Sequence, residues 1–170
     1  MENDSQPLDS ACEIHSTVLH KHILPIHIQC SSQLNEEVPF LPKNQSDLLF
    51  WISFLIGFTA IYAFIKKKYD IFVICIIVFI TSLNHWRDPM FGFRRNIDMF
   101  AVCSGFIYVF VRAIILKIDS PLFWICYITV VLTFPLGWYI YNQGYLWEST
   151  YIHCLLHLCG NTSVVLFCSI

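Results

Sequence analysis

Long runs of apolar residues alternate with short polar stretches over most of this chain. The runs cover residues 48–65, 69–86, 97–116, 121–141 and 150–170. A helix needs about 20 residues, at ~1.5 Å each, to cross the hydrocarbon core of a bilayer. The runs are continuously apolar, and an open sheet edge cannot face lipid, so helices are favoured over strands. The pattern therefore predicts an all-α, multi-pass transmembrane bundle of about five spans over residues 47–170, preceded by a polar tail over residues 1–46.

Local signals support the boundaries of the fourth span. Asp119 and Ser120 come directly before Pro121. Serine is a preferred N-cap, and proline is favoured at the first helical position, so a helix is expected to begin at this point. Pro135 lies inside the same run and is expected to kink the helix, which membrane helices tolerate.

Composition and charge agree with a membrane protein. Hydrophobic residues make up 56% of the chain and charged residues only 13%, against about 25% charged in an average soluble domain. The net charge of −2 gives no basic surface for nucleic acid, so membrane lipids are the expected partners. A lysine triplet at residues 66–68 favours the cytoplasm for the end of the first span, which places the tail on the lumenal or extracellular side.

Several polar side chains interrupt the apolar runs close to one membrane surface. His85 ends the second span, Asp98 lies early in the third, and His153 and His157 lie early in the fifth. The two histidines of the fifth span are four residues apart and so share one helix face. Because successive spans cross in opposite directions, all of these positions fall on the side of the N-terminal tail. We therefore expect the three spans to bring them together.

Ionisable groups are costly inside a membrane, where they usually face the bundle interior and serve a function. Three histidines and a carboxylate are zinc-ligand types, and a site with three histidines leaves a fourth position open. Zinc at such a site activates water and polarises carbonyl groups. Two other interpretations remain open, namely a structural cluster of histidines that hydrogen-bond between helices, and a haem-type or proton-relay site. The polar tail has four further histidines that could bind a metal: His15, His20, His22 and His27. No C-x-x-C or tight H-x-x-x-H motif accompanies them, so a loosely ordered segment is favoured for the tail.

The same residues resemble the motifs of the CREST superfamily of membrane hydrolases, which includes the alkaline ceramidases and the progestin and adipoQ receptors. Its pattern has a hydroxyl residue about one turn before a histidine in the second helix, an aspartate early in the third and HxxxH in the last. Here "TSLNH" supplies Thr81, with Ser82 beside it, and His85. "NIDMF" supplies Asp98, and "HCLLH" supplies the two histidines of the last span.

The resemblance implies a zinc-dependent hydrolase that cleaves an amide or ester bond of a lipid. Its zinc ligands would be His85, His153 and His157. Asp98 would orient or deprotonate water, and Thr81 or Ser82 would provide a hydroxyl that stabilises the oxyanion. The chain departs from the family by having Thr81 where serine is usual and five predicted helices where the family has seven. The alternative is a non-catalytic membrane protein with a structural or vestigial polar or metal cluster.

Overall fold

The structure is a computed structural model that describes residues 39 to 170, and every regular element in that range is an α-helix. The helices are α1 (Lys43–Ile52), α2 (Phe54–Ile65), α3 (Tyr69–Arg87), α4 (Phe93–Ile115), α5 (Pro121–Asn142) and α6 (Leu146–Ser169). With α1 and α2 taken as one span, five helices are long and apolar enough to cross a membrane. The predicted all-α, five-span fold is confirmed. Residues 1–38, which include the four tail histidines, lie outside the described part.

Three spans begin earlier than the apolar runs indicate. The first begins at Lys43, the third at Phe93 and the fifth at Leu146, where the apolar pattern places them at residues 48, 97 and 150. Their first turns contain polar residues, which water or headgroups can satisfy at a membrane surface, so hydropathy alone does not detect them. Ser53 separates α1 from α2, and its hydroxyl donates to the Leu49 carbonyl at 2.8 Å. Such bonding to the carbonyl four residues earlier often bends a helix.

The fourth span begins as its sequence predicts. The Ser120 side chain accepts a hydrogen bond from the Phe123 amide at 3.4 Å, and Pro121 occupies the first helical position. The helix continues as one element through Pro135 to Asn142.

Large apolar side chains cover much of the outer surface of the bundle. Those exposed on at least half of their surface include Phe58, Ile61, Phe64, Ile77, Ile80, Phe100, Ile107, Ile114, Leu132 and Leu158. A monomeric soluble protein rarely exposes so large an apolar area. The exposed residues fit a multi-pass membrane protein whose outer surface faces lipid.

The apolar core and the buried polar groups occupy different depths of the bundle. Buried apolar residues pack together towards the end of the bundle where α2 meets α3, among them Ala60, Ala63, Ile71, Phe123 and Phe167. The opposite end, where α3 meets α4 and α5 meets α6, contains most of the predicted site residues. Helix α6 packs along α5 and also contacts α1 and α2, whereas α4 packs mainly along α3.

Gly105 allows the close approach of α4 to α3. A Cβ atom at this position would lie 2.9 Å from Ile74 Cγ2, a branch that cannot move away easily because β-branched side chains are stiff. We expect Gly105→Ala to lower the free energy of unfolding by about 1–3 kcal/mol, as overpacking typically does. Thermal melting of the purified protein in detergent measures the change.

Gly160→Ala is the matched control for this prediction. Its Cβ would meet Phe106 Cζ at 3.4 Å and Val130 at 3.8 Å, which are ordinary contact distances. Because alanine is the better helix former by about 1 kcal/mol, the control should melt at the wild-type temperature or slightly above. Equal destabilisation by both substitutions would contradict the assigned helix contact.

Candidate functional site

Asp98 joins α3 to α4 through two hydroxyl groups. Ser82 Oγ donates to Asp98 Oδ1 at 2.7 Å, and Thr81 Oγ1 donates to the same oxygen at 3.0 Å. Thr81 also lies 3.0 Å from the Val78 carbonyl, so its hydroxyl is shared with its own helix. Asp98 is 7% exposed and Ser82 only 1%. The structure therefore brings these three predicted residues together inside the bundle, with both hydroxyl groups holding the carboxylate.

His153 and His157 lie side by side on α6, as their spacing predicts. Their ring centroids are 5.0 Å apart. His157 is buried, and the amide of Asn161 donates to its backbone carbonyl at 2.7 Å. The Asn161 side chain in turn accepts from Thr59 on α2 at 2.7 Å. This chain of hydrogen bonds ties the deeper histidine turn of α6 to the first span.

His85 and His153 both contact the ring of Trp86. The Trp86 ring lies 4.5 Å from the ring of His85 and 5.0 Å from that of His153, centroid to centroid. Phe40, just before α1, stacks on His85 at 5.7 Å with an interplanar angle of 19°. All three predicted histidines thus face the interior of the bundle, but the Trp86 indole packs against both His85 and His153.

Some buried polar atoms of this cluster have no hydrogen-bond partner. They are Nδ1 of His85, Nε2 of His157 and Nε1 of Trp86. Buried polar atoms are normally satisfied, and an orphaned one calls for a missing partner such as water or an ion. An imidazole nitrogen with a free lone pair is also a common zinc ligand, so the donor chemistry fits this metal.

The described side chains are of the types that bind zinc, but they are not arranged as a complete metal site. Within residues 39 to 170, no group of three or more His, Cys, Asp or Glu side chains is placed to hold a metal ion. The His153–His157 pair is close, whereas His85 is related to it by contact with the same Trp86 ring. The three imidazoles are therefore not arranged as one ligand group.

Two cavities lie at this cluster. The first, of about 100 Å³, is at the end of the bundle where α3 meets α4 and is lined by His85, Asp98 and His153 with Arg95 and Thr150. This volume can hold several water molecules, each of which needs about 10–15 Å³. Aromatic residues also line this cavity, namely Phe40, Trp86, Phe134, Trp138 and Tyr141.

The second cavity, of about 90 Å³, extends from the cluster towards the middle of the bundle. Ser82 and His157 lie at its polar end. The other lining side chains are almost all apolar and come mainly from α3, α4 and α6: Ile71, Ile74, Cys75, Val78, Val102, Phe106, Val109 and Val164. Leu156 lines both cavities. The cavity that contains the ionisable side chains, called the polar cavity below, thus lies next to the apolar one at the predicted site.

The sequence did not identify the aromatic residues around the histidines. Trp86 reads as an interfacial tryptophan because it ends a span, yet it is only 5% exposed. Phe40 precedes the first apolar run, and its carbonyl accepts a hydrogen bond from Tyr141 at 3.2 Å. Its position next to His85 could have indicated that Trp86 belongs to the site, whereas nothing in the sequence near Phe40 or Tyr141 indicates that they do.

Neither a protein-family model, nor a curated protein, nor a solved structure matches this chain.

Proposed function

We propose that this protein is a membrane hydrolase that uses zinc to cleave an amide or ester bond of a lipid. The observation that carries the proposal is the inward-facing cluster of Asp98, held by two hydroxyl groups, beside imidazoles with unpartnered buried nitrogens. The residues that would hold the metal are His85, His153 and His157. The chemistry that zinc supplies when bound is the activation of a water molecule and the polarisation of a carbonyl group.

Asp98 is the residue best placed to accept a proton from water. Its Oδ1 is occupied by the hydroxyl groups of Ser82 and Thr81, whereas Oδ2 has no hydrogen bond among residues 39 to 170. A carboxylate fixed at one oxygen and open at the other is oriented for general-base catalysis. In this arrangement Ser82 and Thr81 are positioning residues for Asp98, Ser82 through its 2.7 Å hydrogen bond and Thr81 through a hydroxyl that it shares with the Val78 carbonyl.

The apolar cavity supports a lipid as substrate. It begins at Ser82 and His157 and continues between side chains of α3, α4 and α6. At about 90 Å³ the cavity fits the first few carbons of an acyl chain. These would place the carbonyl end near the histidines, while the polar cavity would receive water or a headgroup. Holding the reacting groups in a fixed geometry is itself a large part of catalysis.

The second candidate is a non-catalytic membrane protein in which the polar cluster only connects helices. The packing of Trp86 against both His85 and His153 favours it, as does the absence of a three-ligand group among the described residues. The hydrogen bonds of Asp98 to α3 and of Asn161 to α2 would then serve to fix helix register.

Hydrolysis by the purified protein in detergent distinguishes the two candidates. We expect release of fatty acid from a long-chain ceramide or from a lipid ester, loss of this activity with a zinc chelator, and recovery after zinc is added back. Mass spectrometry of the products identifies the cleaved bond. A folded, zinc-supplemented protein that cleaves neither an amide nor an ester would contradict the proposed hydrolase.

A further inference from the structure

We propose that the polar cavity contains a subsite for the phosphate of a phospholipid headgroup, with Arg95 as its charged residue. The proposal deepens the proposed function and rests on it, because it names the class of lipid that the site receives. Arg95 lies in the first turn of α4, one turn before Asp98, and both residues line the same cavity as His85 and His153. Its positive charge is therefore within the site.

Two aromatic rings hold the guanidinium of Arg95. It lies 5.3 Å from the ring centroid of Phe91 and 5.0 Å from that of Trp138. Trp138 in turn stacks on Tyr141 at 5.7 Å, and Phe91 lies 4.9 Å from Phe40. Contacts with aromatic faces limit the motion of a guanidinium and leave its N–H edge available for a hydrogen-bond acceptor.

Arg95 differs from the other arginines in its charge partners. Arg87 and Arg94 both lie close to Asp88, at 3.6 Å and 3.4 Å, and Arg112 lies 3.4 Å from Asp70. Within residues 39 to 170, no carboxylate oxygen lies within 4.0 Å of the Arg95 guanidinium, not even that of Asp98. Its charge is thus available to a ligand in the cavity.

A phosphate is the ligand that complements this arrangement. Guanidinium groups bind phosphate through two parallel hydrogen bonds, and this bidentate geometry is stronger and more specific than a single contact. The cavity lies at the end of the bundle where α3 meets α4 and is lined by His85 and His153, so a headgroup in it would hold the first carbons of the acyl chain near the neighbouring apolar cavity. A neutral headgroup would form no ion pair with Arg95.

Lipid binding without turnover tests the proposal. The probes are fluorescent ether analogues of phosphatidic acid and diacylglycerol, which have identical chains and no ester bond, added to the full chain in detergent micelles. We expect wild type to bind phosphatidic acid about tenfold or more tighter than diacylglycerol, as a charge-assisted bidentate contact allows. Arg95→Gln should remove this preference and leave diacylglycerol binding unchanged, and Arg95→Lys should keep part of it.

Arg94→Gln is the matched control, because it removes the same charge from the neighbouring position. Arg94 pairs with Asp88 and does not line the cavity. It should change phosphatidic acid binding by less than about twofold, the scale of an exposed ion pair. Equal losses in Arg94→Gln and Arg95→Gln would overturn the subsite, as would an Arg95→Gln loss that is the same for both lipids.

A competition arm separates the two sources of phosphate. Inorganic phosphate at millimolar concentration should fail to displace phosphatidic acid if the acyl chain contributes to binding. Full displacement would overturn the assignment to a lipid and identify a soluble phosphate ligand. Because binding is measured without hydrolysis, an inactive protein that shows the Arg95-dependent preference would contradict only the hydrolase and retain the subsite.

Discussion

Replacing His157 by alanine is expected to abolish stoichiometric zinc binding. The His157 ring is buried, its Nε2 has no hydrogen-bond partner, and its neighbour His153 is 5.0 Å away between ring centroids. Mutating a residue that only orients a zinc ligand typically costs 10–100-fold in metal affinity, so loss of a ligand itself should cost more than about 100-fold. Zinc per chain, measured by plasma mass spectrometry after dialysis against a weak chelator, gives the result directly.

Leu156→Ala is the control for the space that the substitution creates. Leu156 precedes His157 on α6, is also buried and lines both cavities, but it carries no metal-binding atom. We expect it to lower the free energy of unfolding by about 2–5 kcal/mol and to leave the zinc content unchanged. Loss of zinc in Leu156→Ala, or retention of zinc in a folded His157→Ala, would contradict the assignment of His157 as a ligand.

Asp98→Asn is expected to have the largest effect on hydrolysis without removing zinc. Asparagine preserves the shape of the side chain, and its carbonyl oxygen can still accept the hydrogen bond that Ser82 donates at 2.7 Å. It cannot take a proton from water, so the general-base contribution of about 10²–10⁴ in rate should be lost. The measurements are the turnover rate on the cleaved lipid and the zinc content of the same preparation.

Asp70→Asn is the matched control for this prediction. Asp70, on α3, likewise accepts a hydrogen bond from a hydroxyl group of another helix, that of Tyr108 at 2.6 Å, and it lies 3.4 Å from Arg112. It is partly exposed and lies at the opposite end of the bundle from Asp98. Its replacement should change turnover by no more than a few-fold. If Asp98→Asn lost zinc and activity together, Asp98 would be needed to hold the site rather than to accept a proton.

The architecture of the spans follows from the sequence because it depends on simple quantities. Length and continuous hydrophobicity were enough to predict five helices, and the Ser120–Pro121 pair predicted the start of α5. The starts of α4 and α6 were predicted too late, because residues such as Arg94 and Glu148 are helical without being apolar. Hydropathy detects the membrane-embedded part of a helix, whereas the backbone continues to hydrogen-bond beyond it.

The convergence of the site residues also followed from the sequence, but their contacts did not. Crossing direction predicted that Asp98 would approach the end of α3, and the structure gives the hydrogen bonds to Ser82 and Thr81 that result. The contacts of the Trp86 indole with two histidine rings depend on side-chain rotamers and on packing from α6, which no local pattern encodes. The same limit applies to Phe40, whose contact with His85 joins segments far apart in the chain.

Arg94 and Arg95 show how two residues that look alike in the sequence take different positions in the structure. Arg94 and Arg95 are adjacent and read alike in the sequence, as parts of one polar loop. The helical rotation of about 100° between them turns Arg94 to Asp88 and Arg95 to the cavity. Because only Arg95 lines the cavity, comparing Arg94→Gln with Arg95→Gln tests the effect of a positive charge at the site.

X-ray absorption at the zinc edge tests the central claim most directly, namely that imidazoles from α3 and α6 share one metal ion. The sample is the purified full chain in which the four tail histidines are replaced by alanine. We predict one zinc per chain with three imidazole nitrogens and one oxygen, and two imidazoles in a folded His85→Ala variant. A folded protein that binds no zinc, or one whose zinc spectrum is unchanged by His85→Ala, would contradict the account.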